Sequence, residues 1–279
     1  MRGSCLLLAV ATLITSAQAS ADTTDFGFEV EQLFGYDADP PPKFAFSNGD
    51  FYTAKVRRPS IGGVQIGETS VASKTVVATS KDGSVAWVAS DVTVGCVEQA
   101  GDECMAGIGT PLHATGVLLK AGKDWQWIAW HFAEVTTAKE QAALVKNGVV
   151  PGAIPRSVTG AEDVVAVFEK SFADPKELAA SVSTRKDVVL YGSSVAERVV
   201  GGAKVKAKLK GWNLSFKVRD GIQAGLVGTT VGWVAANVDA AAAKGKPATS
   251  SPYRVLAVYE KSGSAWKLVQ VHFSVDQTK

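Results

Sequence analysis

Apolar and polar positions along the chain fall into paired runs with a period of two. Residues 253–261 and 266–275 are rich in β-branched and aromatic side chains, and Ser262-Gly263-Ser264 between them carries turn chemistry. This predicts an antiparallel hairpin. A second hairpin is predicted at 112–133, where Trp125, His131 and Phe132 stand 141 residues before Trp266, His272 and Phe273. Upstream, strands are predicted at 71–79 and 85–94 around a turn at Asp82-Gly83. Trp87-Val88-Ala89 recurs as Trp233-Val234-Ala235 at an offset of 146, so the same pattern runs twice along the chain. In strand alternation Trp125 and Trp127 share a face and Trp130 takes the other. By the same rule His272 lies with Trp266, Leu268, Gln270 and Ser274, opposite Val269, Val271 and Phe273.

Helical patterning is confined to the middle of the chain. A short helix is predicted at 138–146, followed by a Gly/Pro-rich connection at 148–155. Thr159 can cap a helix whose apolar side is Val164, Val165, Phe168 and Phe172, with Glu162 answering the cap three residues on. A further helix starts at Asp174 with Pro175 in its first position. Residues 187–191 read as a strand ending at Gly192. In 203–212 the alternating Lys204, Lys206, Lys208 and Lys210 suit a strand, whereas Val205, Leu209 and Trp212 share one helical face, so both readings stay open. Residues 22–60, interrupted by Pro40-Pro41-Pro42, predict irregular structure.

Composition narrows the function classes. The 29 basic and 27 acidic residues of this 279-residue chain leave a net charge of +2, too weak a field to steer nucleic acid. Residues 1–19 carry one early basic residue, an apolar run at 5–14 and small residues at Ala17 and Ala19, the pattern of a signal peptide. No other apolar run is long enough to cross a membrane, so an exported protein that is not integral to the membrane is expected, periplasmic or extracellular. Removal of the leader leaves Cys96 and Cys104, an even pair read as a disulfide in that compartment; their spacing fits no zinc pattern.

Two helices, a strand with Tyr191-Gly192-Ser193, the run Glu197-Arg198-Val199-Val200-Gly201-Gly202, an element ending in Trp212 and a last hairpin with Trp266 and His272-Phe273-Ser274 together resemble the SnoaL-like branch of the NTF2-like (ketosteroid-isomerase-like) superfamily. The resemblance implies an α+β fold of two tandem cones, each a curved antiparallel sheet packed on helices, the first with a reduced helical part. The expected division is a leader at 1–19, a first repeat at 20–137, a linker at 138–158 and a second repeat at 159–279. Gly62-Gly63 echoes Gly201-Gly202.

That superfamily includes isomerases and cyclases that pair a base with an oxyanion donor. The titratable candidates in the second repeat are His272, Asp220, Asp239 and Glu197, with Tyr191 and Tyr253 as donors. His272 is the candidate base, although its recurrence as His131 equally fits a structural hydrogen-bonding role. Asp220 before Gly221 reads as a hairpin turn and Asp239 as a loop residue. Trp212, Tyr253 and His272 are the expected ligand-binding residues. No metal or other cofactor is expected. The favoured function is non-catalytic, either binding of a small apolar ligand or assembly, homo-oligomers included; the alternative is an isomerase or cyclase acting on a small apolar substrate in the second cone.

Overall fold

A computed structural model of the protein describes residues 43–46, 60–61, 64–65, 71–93, 99–100, 103–104, 111–122, 124–146, 152–242 and 251–275. The expected leader at 1–19 and Cys96 lie outside these residues; Cys104 falls in a two-residue strand.

The strands are β1 (Lys43–Phe46), β2 (Ser60–Ile61), β3 (Val64–Gln65), β4 (Val71–Thr79), β5 (Val85–Thr93), β6 (Gln99–Ala100), β7 (Glu103–Cys104), β8 (Pro111–Ala121), β9 (Asp124–Glu134), β10 (Ser157–Thr159), β11 (Val189–Tyr191), β12 (Arg198–Val200), β13 (Leu214–Val227), β14 (Val231–Ala242), β15 (Ser251–Ser262) and β16 (Ala265–Ser274). The helices are α1 (Ala138–Lys146), α2 (Glu162–Ala173), α3 (Pro175–Ser181) and α4 (Gly202–Trp212). The fold is α+β, with two principal, mainly antiparallel sheets. One has the order β1-β9-β8-β5-β4 and the other β10-β13-β14-β15-β16-β11-β12. Each is built on a four-strand meander whose last strand is flanked by a parallel strand, β1 on β9 and β11 on β16. β1 follows the three prolines, in a stretch whose sequence predicts irregular structure; parallel pairing with β9 supplies the order that its own pattern lacks.

The second sheet is buried on both faces, which explains the near-continuous apolar run of β14. Toward the helices, Val234, Ala236 and Val238 meet Val164, Phe168 and Phe172 of α2. Toward the first sheet, Trp233 and Ala235, with Leu256, Val258 and Val269, pack on Ala78, Val85, Trp87, Val117 and Ala129. The two sheets therefore share one apolar layer, as in a β-sandwich. Polar groups cross it as well: Gln270 Nε2 donates to the Val88 carbonyl at 2.7 Å, and Arg185 stacks 4.9 Å over the Trp87 ring while pairing with Asp187 and Glu260.

Bulges correct the simple alternation. In β16 the pairing with β15 skips Val269. Trp266 and Leu268 accordingly join Val271 and Phe273 on the helix side, while Gln270 faces the first sheet. β9 has the same irregularity, since its pairing with β8 skips Ile128, so alternation does not run unbroken from Trp125 to Trp130. In β13 the register shifts between Val218 and Ile222, which places Asp220 and Gly221 inside a strand and not in a hairpin turn. The bulge brings β13 against the backbone ahead of β10. A Cβ at Gly221 would collide with the Ile154 carbonyl oxygen and the Arg156 nitrogen, both backbone atoms that cannot swing aside. Gly221→Ala is expected to lower stability by about 1–3 kcal/mol, read as a shift in the urea midpoint; an unchanged midpoint contradicts this packing.

Helix starts also differ in part from expectation. Thr159 belongs to β10, and α2 begins after Ala161 without a side-chain cap. A capping box forms elsewhere, between Ser194 and Glu197 on the 3-10 turn Val195–Glu197. Asp174 does cap α3, accepting from the Lys176 nitrogen at 2.7 Å, with Pro175 following. The ambiguous lysine-rich stretch is helix α4, with Val205 and Leu209 buried on one face.

Candidate functional site

One cavity, of about 170 Å³, opens where α1, the β11–β12 connection, the end of α4 and strands β13, β15 and β16 converge. It is lined by Gln141, Gly192, Ser193, Glu197, Trp212, Leu214, Phe216, Tyr253 and Phe273. The fold brings these together for identifiable reasons. Trp212 is the last residue of α4, and Asn213 in the left-handed conformation turns the chain straight into Leu214 and Phe216 of β13. Phe273 points to the helix side because the bulge at Val269 sets the alternation that follows it. Glu197 is fixed by its capping box, where Oε2 accepts from the Ser194 nitrogen at 3.3 Å.

The rings make angled walls. Trp212 stands at 78° to Phe273 with centroids 5.5 Å apart, and Tyr253 at 89° with centroids 6.4 Å apart. Phe216 is tilted at 32° and lies 5.1 Å from Phe273. Gln141 Nε2 donates to the Tyr253 hydroxyl at 3.3 Å, so α1 is tied to the cavity rim. Burial, and then the charge of Glu197, hold the Tyr253 hydroxyl protonated against the opposing effect of Gln141. Ser193 is 2% exposed, and its Oγ has no hydrogen-bond partner among the described residues. A buried hydroxyl without a partner is costly. Among the described residues the site can therefore offer apolar walls, one carboxylate and one tyrosine hydroxyl.

His272 is elsewhere. It is fully buried on the opposite face of β16, between the sheets, where all three histidines of the chain gather. Its ring stacks on His131 at 4.1 Å, and its Nδ1 is 3.0 Å from Thr115 Oγ1. His131 Nε2 is 2.8 Å from Ser274 Oγ. His113 stacks on Tyr191 at 4.1 Å, while the Tyr191 hydroxyl donates to Asp91 and accepts from Arg198. Burial and then the Arg254 guanidinium push His131 down to about 3. Burial, followed by the other two histidines, holds His272 well below its ordinary value. His113 is lowered by burial, against the favourable Gly192 carbonyl and Asp91. These are neutral rings packed between sheets.

The remaining candidates are paired. Asp220 Oδ2 accepts from Asn237 Nδ2 at 2.9 Å, and Asp239 meets Arg219 at 2.7 Å within the paired strands β13 and β14. Of the sequence candidates, Trp212, Tyr253 and Glu197 meet at the cavity, and His272 and Tyr191 do not. Ser193, Gln141, Leu214, Phe216 and Phe273 went unassigned because they come from separate elements. One usable signal was present, the Ser194-x-x-Glu197 spacing that fixes Glu197. Among the described residues no cluster of three or more His, Cys, Asp or Glu is arranged to hold a metal, and no helix is long and apolar enough to cross a membrane.

No protein-family description and no curated protein sequence matches the chain. Among solved structures it is similar to an NTF2-like protein of unknown function from Pseudomonas putida, at 12% identity over 41% of this chain and 85% of that one, with a TM-score of 0.34. A second NTF2-like protein of unknown function, from Shewanella oneidensis, is 14% identical over 42% of this chain and 99% of that one, TM-score 0.32. The CamKII hub homology domain of Chlamydomonas reinhardtii is 13% identical over 43% and 99%, TM-score 0.34.

Proposed function

We propose that this chain is an exported, non-catalytic binding protein made of two tandem SnoaL-like repeats, residues 20–137 and 159–279, in which the cavity of the second repeat takes one small, largely apolar molecule. The observation that carries this reading is the cavity itself, lined by four aromatic rings together with Glu197 and Ser193. Its volume of about 170 Å³ is close to the roughly 150 Å³ that accommodates a benzene ring. The first repeat then acts as a built-in partner: it covers the outer face of the second sheet, the face through which separate copies would otherwise associate. Export rests on residues 1–19, and the Cys96–Cys104 disulfide goes with it.

A second reading, an isomerase or cyclase, draws on one observation: Glu197 and Tyr253 line the same cavity, as a base and an oxyanion donor would. The carboxylate's Oε2 is engaged by the Ser194 backbone, and no histidine reaches the cavity, so binding without chemistry is preferred.

The test is a screen of ring-sized compounds against ¹⁵N-labelled protein, following the seven tryptophan indole resonances. Binders are expected to shift the Trp212 resonance at one site per chain. Leu214→Trp, which fills the cavity from its rim, should abolish the shift while leaving the fold intact. Binders that move only other tryptophans, or that survive Leu214→Trp, count against the proposal.

A further inference from the structure

The chemistry of the cavity walls goes further than its size, and this step rests on the binding reading above. We propose that the cavity is selective for a small alkylated ammonium ion over a neutral molecule of the same shape. Two independent features point there. The Trp212 and Tyr253 rings stand nearly perpendicular to Phe273, with Phe216 alongside, which forms the corner of an aromatic box. Faces of such rings attract a cation through their quadrupoles, most strongly where water is excluded. The second feature is Glu197, the one carboxylate lining the cavity among the described residues. Its Oε2 is held by Ser194, and its charge acts on the Tyr253 hydroxyl, which puts the carboxylate within electrostatic reach of that ring.

Among the described residues the lining carries no positive charge, since Gln141, Ser193, Leu214 and the rings are neutral. One cation lies close by: Lys208, one turn earlier on α4, holds its Nζ 5.9 Å from the Trp212 centroid. It opposes a second cation at the same ring, which supplies an internal control. The Tyr253 hydroxyl suits a ligand that also carries a hydroxyl or carbonyl near its ammonium group.

Choline and its neutral carbon isostere dimethylbutanol differ in charge but hardly in shape. Isothermal titration of the full chain with each is expected to show choline binding about tenfold more tightly, the scale of a partly desolvated cation–π contact with a nearby carboxylate. Glu197→Gln retains the capping geometry, because glutamine also serves in a capping box, and should remove most of that preference, read as the ratio of the two affinities in the same variant. Lys208→Gln, at a half-buried position of α4, should widen the preference by about two- to threefold. Equal binding of the two probes, or tighter binding of dimethylbutanol, overturns the ammonium inference and leaves the binding reading standing. Failure of both probes at millimolar concentration overturns the inference, and with a blank ring-compound screen it removes the binding reading as well.

Discussion

Acidification from pH 6.5 to pH 5 is expected to cost about 2 kcal/mol of stability at His131, with a further loss of the same sign at His272, in a window above the midpoints of ordinary carboxylates. The sign follows from burial. Unfolded, both rings take up a proton near pH 6.5; folded, His131 is held down to about 3 and His272 well below its ordinary value, so the unfolded chain binds more protons throughout this window. Stability is therefore complete above the unfolded pKa and is lost as the pH falls toward the folded one. His113 adds a loss of the same sign, moderated by Asp91 and the Gly192 carbonyl. Urea midpoints at pH 7.5, 6.5 and 5 for the natural protein and the double variant His131→Gln/His272→Gln provide the check. The variant should start from a lower midpoint and lose most of the slope. An unchanged slope would show that these rings are not the groups that titrate.

Arg254→Ala is expected to be the most damaging single substitution, costing about 3–5 kcal/mol. Arg254 is fully buried, donates from Nε to Asn237 Oδ1 at 3.1 Å and from Nη2 to the Gly152 carbonyl at 3.0 Å, and shares that carbonyl with Asn237 Nδ2 at 2.8 Å. Its loss strands several groups together and frees the segment that carries buried Ile154 to the edge of β13. Arg254→Lys should rescue little, because an ammonium cannot reproduce the guanidinium fork. Thermal melts of both variants decide this; a fall of only a degree or two would mean that the cluster is dispensable. The arrangement echoes the other half of the molecule. Arg254 opposes Asn237 across β15 and β14 as His113 opposes Asp91 across β8 and β5.

Where local pattern decides structure, the sequence was readable. Helix α1, the hairpins, the buried face of α2 and the Asp174-Pro175 start of α3 all follow from spacing and capping within a few residues. The exceptions have long-range causes. The bulges at Val269, Ile128 and Asp220 arise from how neighbouring strands pair, and a one-residue insertion reverses every assignment of face beyond it. That is why His272 was grouped with Trp266, which lies on the other side of the sheet. At the cavity, Trp212 and Tyr253 were legible as amphipathic aromatics near element ends. Ser193 and Gln141 were not, because their value comes from a distant loop and helix meeting the same space.

The central claim is that the working site lies at Trp212, Glu197 and Tyr253 and not at the buried histidines. Affinity of the best cavity binder, measured for the natural protein, Leu214→Trp and His272→Gln under one set of conditions at pH 7.5, tests it directly. The account predicts that Leu214→Trp loses binding by at least about a hundredfold, while His272→Gln lowers the melting temperature yet binds within about twofold of the natural protein. A folded His272→Gln protein that no longer binds, beside a Leu214→Trp protein that still does, would place the site between the sheets and contradict the account.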